Sequence, residues 1–159
     1  EILRKTTNIK FHLAGPFSGV FTRKDYDMFL QEHPHVQGAL SYHGAIYDNE
    51  KWSLLSQMDI LLHPTRNDAF PLVILEAMAV GCSVLSTNQG GIPDMLKGLE
   101  GSKVIDELSF TSALFNLIEK KSLLVDYTRE SFSKFDSNFT AGRFEENILE
   151  IVCECSKGT

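Results

Sequence analysis

Two carboxylates are set apart by their surroundings. In the stretch NDAFPLVILEAMAVGCSVLSTNQGG, Asn67 to Gly91, Glu76 is the only ionisable group between Leu72 and Leu85 apart from the Cys82 thiol. Charged side chains are seldom fully buried without a partner, and an unpaired buried charge is costly. Glu76 therefore either has a protein partner or faces a cleft where a ligand completes it. Asp68 precedes it with the spacing D-x7-E, in the turn NDAFP that leads into the apolar run. If that run is a helix, its first amides, near Leu72 and Val73, point back toward the turn. Unsatisfied amides and the helix dipole make such an end an anion site. One acid then stands beside that site and the other one or two turns along the helix wall, both able to accept hydroxyl hydrogen bonds. This suits a phosphate flanked by two polyols, as in a sugar nucleotide. The competing reading is structural: Asp68 caps the helix and Glu76 pairs with a lysine.

The elements that must position these groups alternate in type. IKFHLAG (9–15) reads as a buried strand ended by Gly15 and Pro16, and KDYDMFLQEH (24–33) as a helix closed by Pro34. ALSYHG (39–44) is a second strand stopped by Gly44. Asn49 has the chemistry of an N-cap for EKWSLLSQ, with Trp52 and Leu55 three apart. DILLHP (59–64) is a third strand. PLVILEAMAV (71–80) is a helix with proline at its first position and Gly81 as terminator. CSVLST (82–87) is a fourth strand, GGIPDML a short helix start and SKVID (102–106) a weak fifth strand. Three helices follow. The first has Phe110, Leu114, Leu117 and Ile118 at helical spacing. The second is SLLVDYTRESFSKF, and the last carries Phe144, Ile148, Ile151 and Val152 on one face.

Strand–helix–strand order with non-alternating apolar strands predicts an α/β fold: a Rossmann-like, doubly wound parallel sheet with helices on both faces. In that architecture ligands bind at the carboxyl ends of the strands. Gly15, Gly44, the His63–Ala69 loop, the Thr87–Gly91 loop and the entry to the Glu76 helix all fall there.

Composition bounds the function. The 159 residues suggest one domain, and 43% hydrophobic content fits an ordinary globular chain, not a disordered one. A formal net charge of -6 with no basic stripe argues against nucleic-acid binding. Cys82, Cys153 and Cys155 form no C-x-x-C pair, so reduced thiols in a cytoplasmic setting are expected. The charged start EILRKTTNIK has no signal-peptide character, and no apolar run reaches the ~20 residues of a membrane span. His33 and His35 lack a third ligand at zinc spacing. His12, His43 and His63 sit in or at the ends of strands, where packing is the commoner role. His63 merits a check because it precedes the NDAFP turn. GPFSG lacks the spacing of a phosphate fingerprint.

The segment HPTRNDAFPLVILEAMAVGCSVLSTNQGGIPDML closely resembles the signature of the GT-B retaining glycosyltransferases called glycosyl transferases group 1. The family pattern is a strand, Pro-Ser, then E-G-F-P-L-x-x-x-E-A-M-A-x-G-x-P-V, and later G-G-x-P-E. FHLAG and LSYHGAIYDNEKWSLLSQMDILLHP fit the strands and helix that precede it. The resemblance implies the C-terminal, donor-binding half of a GT-B fold, residues 1–159 being one such domain. It implies transfer of a sugar (hexosyl) unit from a nucleotide diphosphate sugar to an acceptor hydroxyl with retention. Glu76 would bind ribose hydroxyls and Asp68 the donor sugar, these two being the catalytic pair. Amides around Ala69, Phe70, Pro71, Leu72 and Val73 would meet sugar and diphosphate. Gly44, Ala45 and Ile46 would present main chain to the base, and Gly15 would line the floor.

Two departures bear on the site: Asp68 is one methylene shorter than the usual glutamate, and Ala69 stands where glycine is usual. The family's arginine and lysine for the diphosphate lie upstream of the first strand, where this chain has only a helical stub, and Arg66 is the one cation near the signature. The chain is thus expected to be part of a two-domain enzyme. Its N-terminal domain would bind a glycan or lipid-linked acceptor. The whole would be cytoplasmic, with room for peripheral association at the inner face of a membrane. No cofactor or metal is implied. Two rival readings are a sugar-nucleotide epimerase half-domain, which the Asp68–Glu76 spacing opposes, and a non-catalytic Rossmann-like interaction module. A receiver module would need an acidic pair after its first strand, and FHLAGPF has none.

Overall fold

The computed structural model describes residues 2–5, 8–106 and 108–157; the side chains of residues 4, 5, 121 and 151–157 lie outside that description. The element order is α1 (Ile2–Lys5), β1 (Phe11–Leu13), α2 (Arg23–Glu32), β2 (Leu40–Tyr42), α3 (Asp48–Leu55), β3 (Ile60–His63), α4 (Leu72–Ala79), β4 (Ser83–Ser86), α5 (Ile92–Leu96), β5 (Lys103–Val104), α6 (Phe110–Glu119), α7 (Leu124–Asn138) and α8 (Ala141–Lys157). Every ladder is parallel, β1 with β2 in one sheet and β3–β4–β5 in another. Helices lie on both sides of the parallel sheets, the α/β architecture expected from the alternation of elements. The chain divides into two compact units, Glu1–Ser53 and Leu54–Thr159.

In the first unit, α2 opens on a capping box. Thr22 and Asp25 satisfy each other's backbone amides, and Asp25 Oδ2 also accepts from Thr22 Oγ1 at 2.6 Å. Those hydrogen bonds hold the Asp25 carboxyl below the usual aspartate range. Tyr26 on α2 is buried in an aromatic cluster in which Phe17 stacks on Tyr42, ring centroids 4.2 Å apart. Pro34 closes α2 as expected and starts a single 3-10 turn, Pro34–Val36.

The second unit holds the larger core. All four residues of β4 are buried, as a central parallel strand covered on both faces requires. Ser86 Oγ donates to the His63 carbonyl at 2.8 Å, and the Ser83 amide donates to the Asp59 carbonyl at 3.0 Å. Ile74 and Met78 of α4 are fully buried against Val84, Ile92 and Met95, each contributing about 1.5–3 kcal/mol of transfer free energy. Gly81, at φ +87°, ends α4 in a Schellman motif: Cys82 N donates to Ala77 O at 2.9 Å and Gly81 N to Met78 O at 3.0 Å. A Cβ there would also stand 2.5 Å from Thr128 Cγ2, so α7 packs over the position. Ser131 of α7 fastens the same corner by donating to the Cys82 carbonyl at 2.7 Å.

Several boundaries differ from expectation. Pro71 is the N-cap of α4 and not its first residue, with extended φ/ψ of -70° and 111°. Asn49 does not cap α3, which begins at Asp48. Asp48 has φ +46°, a conformation that aspartate tolerates better than most residues. Trp52 and Leu55 do not share a buried face: Leu55 is buried, whereas Trp52 is 41% exposed. On α6, Leu114 and Leu117 are buried as their spacing predicts. The apolar face of α8 is not: Phe144 and Ile148 are 66% and 44% exposed. The side chains of Ile151, Val152, Cys153 and Cys155 fall outside the description, as does the expected helix start at Glu107. No described helix is long and apolar enough to cross a membrane.

Candidate functional site

Glu76 is not in the core. At about 100° per residue it lies on the opposite side of α4 from the buried Ile74–Met78 line, on the flank shared by Leu72, which is 65% exposed. The apolar run is apolar because α4 packs on its β-sheet. Its lone charge faces away from that packing, half-buried and engaged by a neighbouring group.

Asp68 does not cap α4, whose N-cap Pro71 carries no side-chain hydrogen bond. Instead its Oδ1 accepts from the Phe70 amide at 3.2 Å, an Asx turn that shapes the NDAFP loop. Its side chain is 42% exposed. The first amides of α4, at Leu72 and Val73, have no intrahelical acceptor, and no acidic side chain occupies the first turn. Leu72 and Phe70 are exposed, Val73 is half-buried and Pro71 is buried.

The loop is held from below by its neighbour. Gly91 N donates to the Ala69 carbonyl at 2.7 Å. Gly90, at φ +49°, lies so close that a Cβ would stand 2.5 Å from Ala69 Cα and 2.6 Å from its carbonyl carbon. Gly90 is thus glycine because the Thr87–Gly91 loop presses against Ala69.

His63 ends β3 beside this loop. Its Nε2 is shielded from solvent without a hydrogen-bond partner, and Asp68 Oδ2 stands 3.9 Å away. That separation counts as an ion-pair contact only if the ring is charged and is too long for a hydrogen bond. Burial holds His63 below the usual histidine range, with Asp68 opposing, so we take the neutral ring as the resting form.

A cleft of about 390 Å³ opens at the carboxyl ends of β3, β4 and β5, lined by Thr65, Thr87, Asn88, Gln89, Val104, Ile105 and Asp106. Its position agrees with the rule for parallel sheets. Neither Asp68 nor Glu76 is among its walls. Thr65 lies in the His63–Ala69 loop and Thr87, Asn88 and Gln89 in the Thr87–Gly91 loop, both placed at the strand ends from the sequence; Val104, Ile105 and Asp106 were not singled out. The available signal for Ile105 and Asp106 was their place, immediately after β5. Thr87 Oγ1 donates to the Thr65 carbonyl and ties two of those strand ends together.

In the first unit, Gly15 and Gly44 follow β1 and β2 and are joined directly, Gly15 N donating to Gly44 O at 2.7 Å. Tyr42 OH donates to the Gly15 carbonyl at 2.8 Å. Ala45 is exposed and Ile46 half-buried beyond that turn. His12 and His43 stack at 5.1 Å between centroids, with Nδ1 and Nε2 only 2.8 Å apart. His33 stacks on Phe29 at 4.6 Å. Among the described residues no group of three or more His, Cys, Asp or Glu could hold a metal ion. Arg66 is exposed on the His63–Ala69 loop and has an interaction of its own.

A family profile described as "Glycosyl transferases group 1" matches residues 1–120. The phosphatidylinositol N-acetylglucosaminyltransferase GPI3 subunit of Saccharomyces cerevisiae is 27% identical over 115 residues, 69% of this chain and 25% of that protein. The putative colanic acid biosynthesis glycosyl transferase WcaC of Escherichia coli is 29% identical over 108 residues, 67% of this chain and 23% of that protein. The chain spans about a quarter of the length of these relatives. Among solved structures, sucrose-phosphate synthase from Thermosynechococcus elongatus matches with TM-score 0.73 and 15% identity over 93% of this chain and 39% of that one. Anabaena HepE, solved with UDP-glucose, matches with TM-score 0.69 and 18% identity over 96% of this chain and 43% of that one. At such identities the likeness establishes the fold, that of a GT-B glycosyltransferase domain.

Proposed function

The chain belongs to the glycosyl transferases group 1, and from that premise we propose that it is the donor-binding domain of a retaining glycosyltransferase. The whole enzyme moves a hexosyl unit from a nucleoside diphosphate sugar to an acceptor hydroxyl. The observation that carries this reading is the α4 entrance. Two acids flank free first-turn amides, Asp68 on the loop before them and Glu76 on the outward side of the helix after them. An anion placed against those amides would have hydroxyl acceptors on either side. HepE was solved with UDP-glucose, which supports a nucleotide sugar as the ligand.

In this reading Glu76 binds the ribose hydroxyls and Asp68 the donor sugar, while the amides of Phe70, Leu72 and Val73 meet sugar and diphosphate. Catalysis rests on positioning and on stabilising the charge that grows on the departing diphosphate. The acceptor is handled outside this chain. A glycan or lipid-linked acceptor is supported by the names of the relatives, a phosphatidylinositol N-acetylglucosaminyltransferase and a colanic acid biosynthesis transferase.

Calorimetry with UDP and GDP, free and as their glucosyl or N-acetylglucosaminyl esters, tests the reading. Glu76→Gln should weaken nucleotide binding by one to two decades, the ~1.5–3 kcal/mol of a hydrogen bond to a charged group. Asp68→Asn should weaken only the sugar-bearing ligands. Equal losses for both variants on free nucleotide would refute the division of roles.

A further inference from the structure

Among the described residues, the donor-site reading leaves one buried polar atom without a role, Nε2 of His63. Buried polar atoms are nearly always satisfied, so an orphan calls for an explanation. The backbone that carries the imidazole is anchored. His63 closes β3, and its carbonyl accepts both from Ser86 Oγ at 2.8 Å and from Thr65 N at 3.0 Å. Asp68 is less confined: its side chain is 42% exposed, and the Phe70 amide holds only its Oδ1, at 3.2 Å. The 3.9 Å between His63 Nε2 and Asp68 Oδ2 exceeds hydrogen-bond length by about 1 Å. A small rotation of the aspartate closes that gap. Being shielded from solvent, Nε2 cannot itself reach a bound sugar and must act through the carboxylate.

We propose that His63 is a positioning residue for Asp68, its Nε2–H clamping Oδ2 when a donor sugar engages the carboxylate. This rests on the donor-sugar role of Asp68 given above. A short aspartate has only two side-chain torsions. One oxygen held by the Phe70 amide and the other by His63 would fix the whole group, leaving the remaining lone pairs for sugar hydroxyls. The neutral imidazole favoured by burial supplies the N–H the clamp needs in its Nε2–H tautomer.

The test combines calorimetry and 15N NMR of histidine-labelled protein. The probe is whichever of UDP-glucose, UDP-N-acetylglucosamine and GDP-glucose binds best, set against its free nucleoside diphosphate. His63→Leu should weaken the sugar-bearing probe about tenfold and leave the free diphosphate unchanged. His63→Gln, whose amide N–H reaches to a similar point, should recover most of that loss. The sugar-bearing probe, and not the diphosphate, should shift the His63 Nε2 resonance. Unchanged affinity in His63→Leu, or equal losses for both ligands, would overturn the clamp. If no sugar nucleotide binds the unmodified protein, the donor reading fails and the clamp's purpose with it. The pairing itself is judged separately in ligand-free protein, where Asp68→Asn should move the His63 15N signals and an unmoved spectrum refutes it.

Discussion

Replacing Gly90 by alanine should break the support beneath the NDAFP loop. The new Cβ would stand 2.5 Å from Ala69 Cα and 2.6 Å from its carbonyl carbon, where ordinary contact begins near 3.4 Å. Both atoms are backbone, so no side chain can swing aside and the two loops must part. Separation stretches the 2.7 Å bond from Gly91 N to Ala69 O, which contributes about 1 kcal/mol. Overpacking adds about 1–3 kcal/mol, and a side chain at φ +49° about 1–2 kcal/mol more. The expected loss is therefore roughly 3–6 kcal/mol, a large share of the ~5–15 kcal/mol of a typical domain. Gly98 is the control: its φ is +83° but a Cβ would meet nothing within 4 Å, so Gly98→Ala should cost only the ~1–2 kcal/mol of backbone strain. Urea unfolding followed by circular dichroism measures both. With a slope of about 2 kcal/mol/M, the Gly90 midpoint should fall by roughly 1.5–3 M and the Gly98 midpoint by under about 1 M. Equal midpoints for the two variants would refute the close-approach account.

Other outcomes follow from the same residues. Burial, and secondarily Asp59, push the Cys82 thiol up to about 11. Alkylation mapped by mass spectrometry near neutral pH should therefore spare Cys82 in folded protein and modify it in urea. His63 is held below its ordinary value of 6.5, so the unfolded chain binds the proton more readily than the native one. Its contribution to stability is full above 6.5 and is lost as pH falls below that value. The pH dependence of unfolding should be shallower in His63→Leu, and identical slopes would contradict the burial. Residues 1–159 alone should bind donor weakly and transfer nothing, because the acceptor surface of our proposal lies elsewhere. A donor-consumption assay showing turnover by this chain equal to that of a longer protein would show the active site misplaced.

Local pattern determined much of this protein. The run Leu72–Ala79 announced a helix by its apolar content and Gly81, and the repeated strand–helix–strand order announced parallel ladders. The D-x7-E spacing put both acids on or beside one short helix, since Asp68 lies just before the helix start and Glu76 within it. Boundaries slipped by a residue or two where competing caps were available, as at Asp48 and Pro71. What sequence could not supply was anything depending on which distant residues meet. No spacing rule connects Gly90 to Ala69, Ser131 to the Cys82 carbonyl, or the cleft-lining Asp106 to Thr65. Each pairing exists only after the crossover helices have brought separate strand ends together. His63 and Asp68 are five residues apart in sequence, yet their relation was hidden for the same reason. Whether a histidine at a strand end packs, bonds or points at an acid is decided by the depth to which the sheet buries it and by the fold of the loop that follows. Tertiary structure set both.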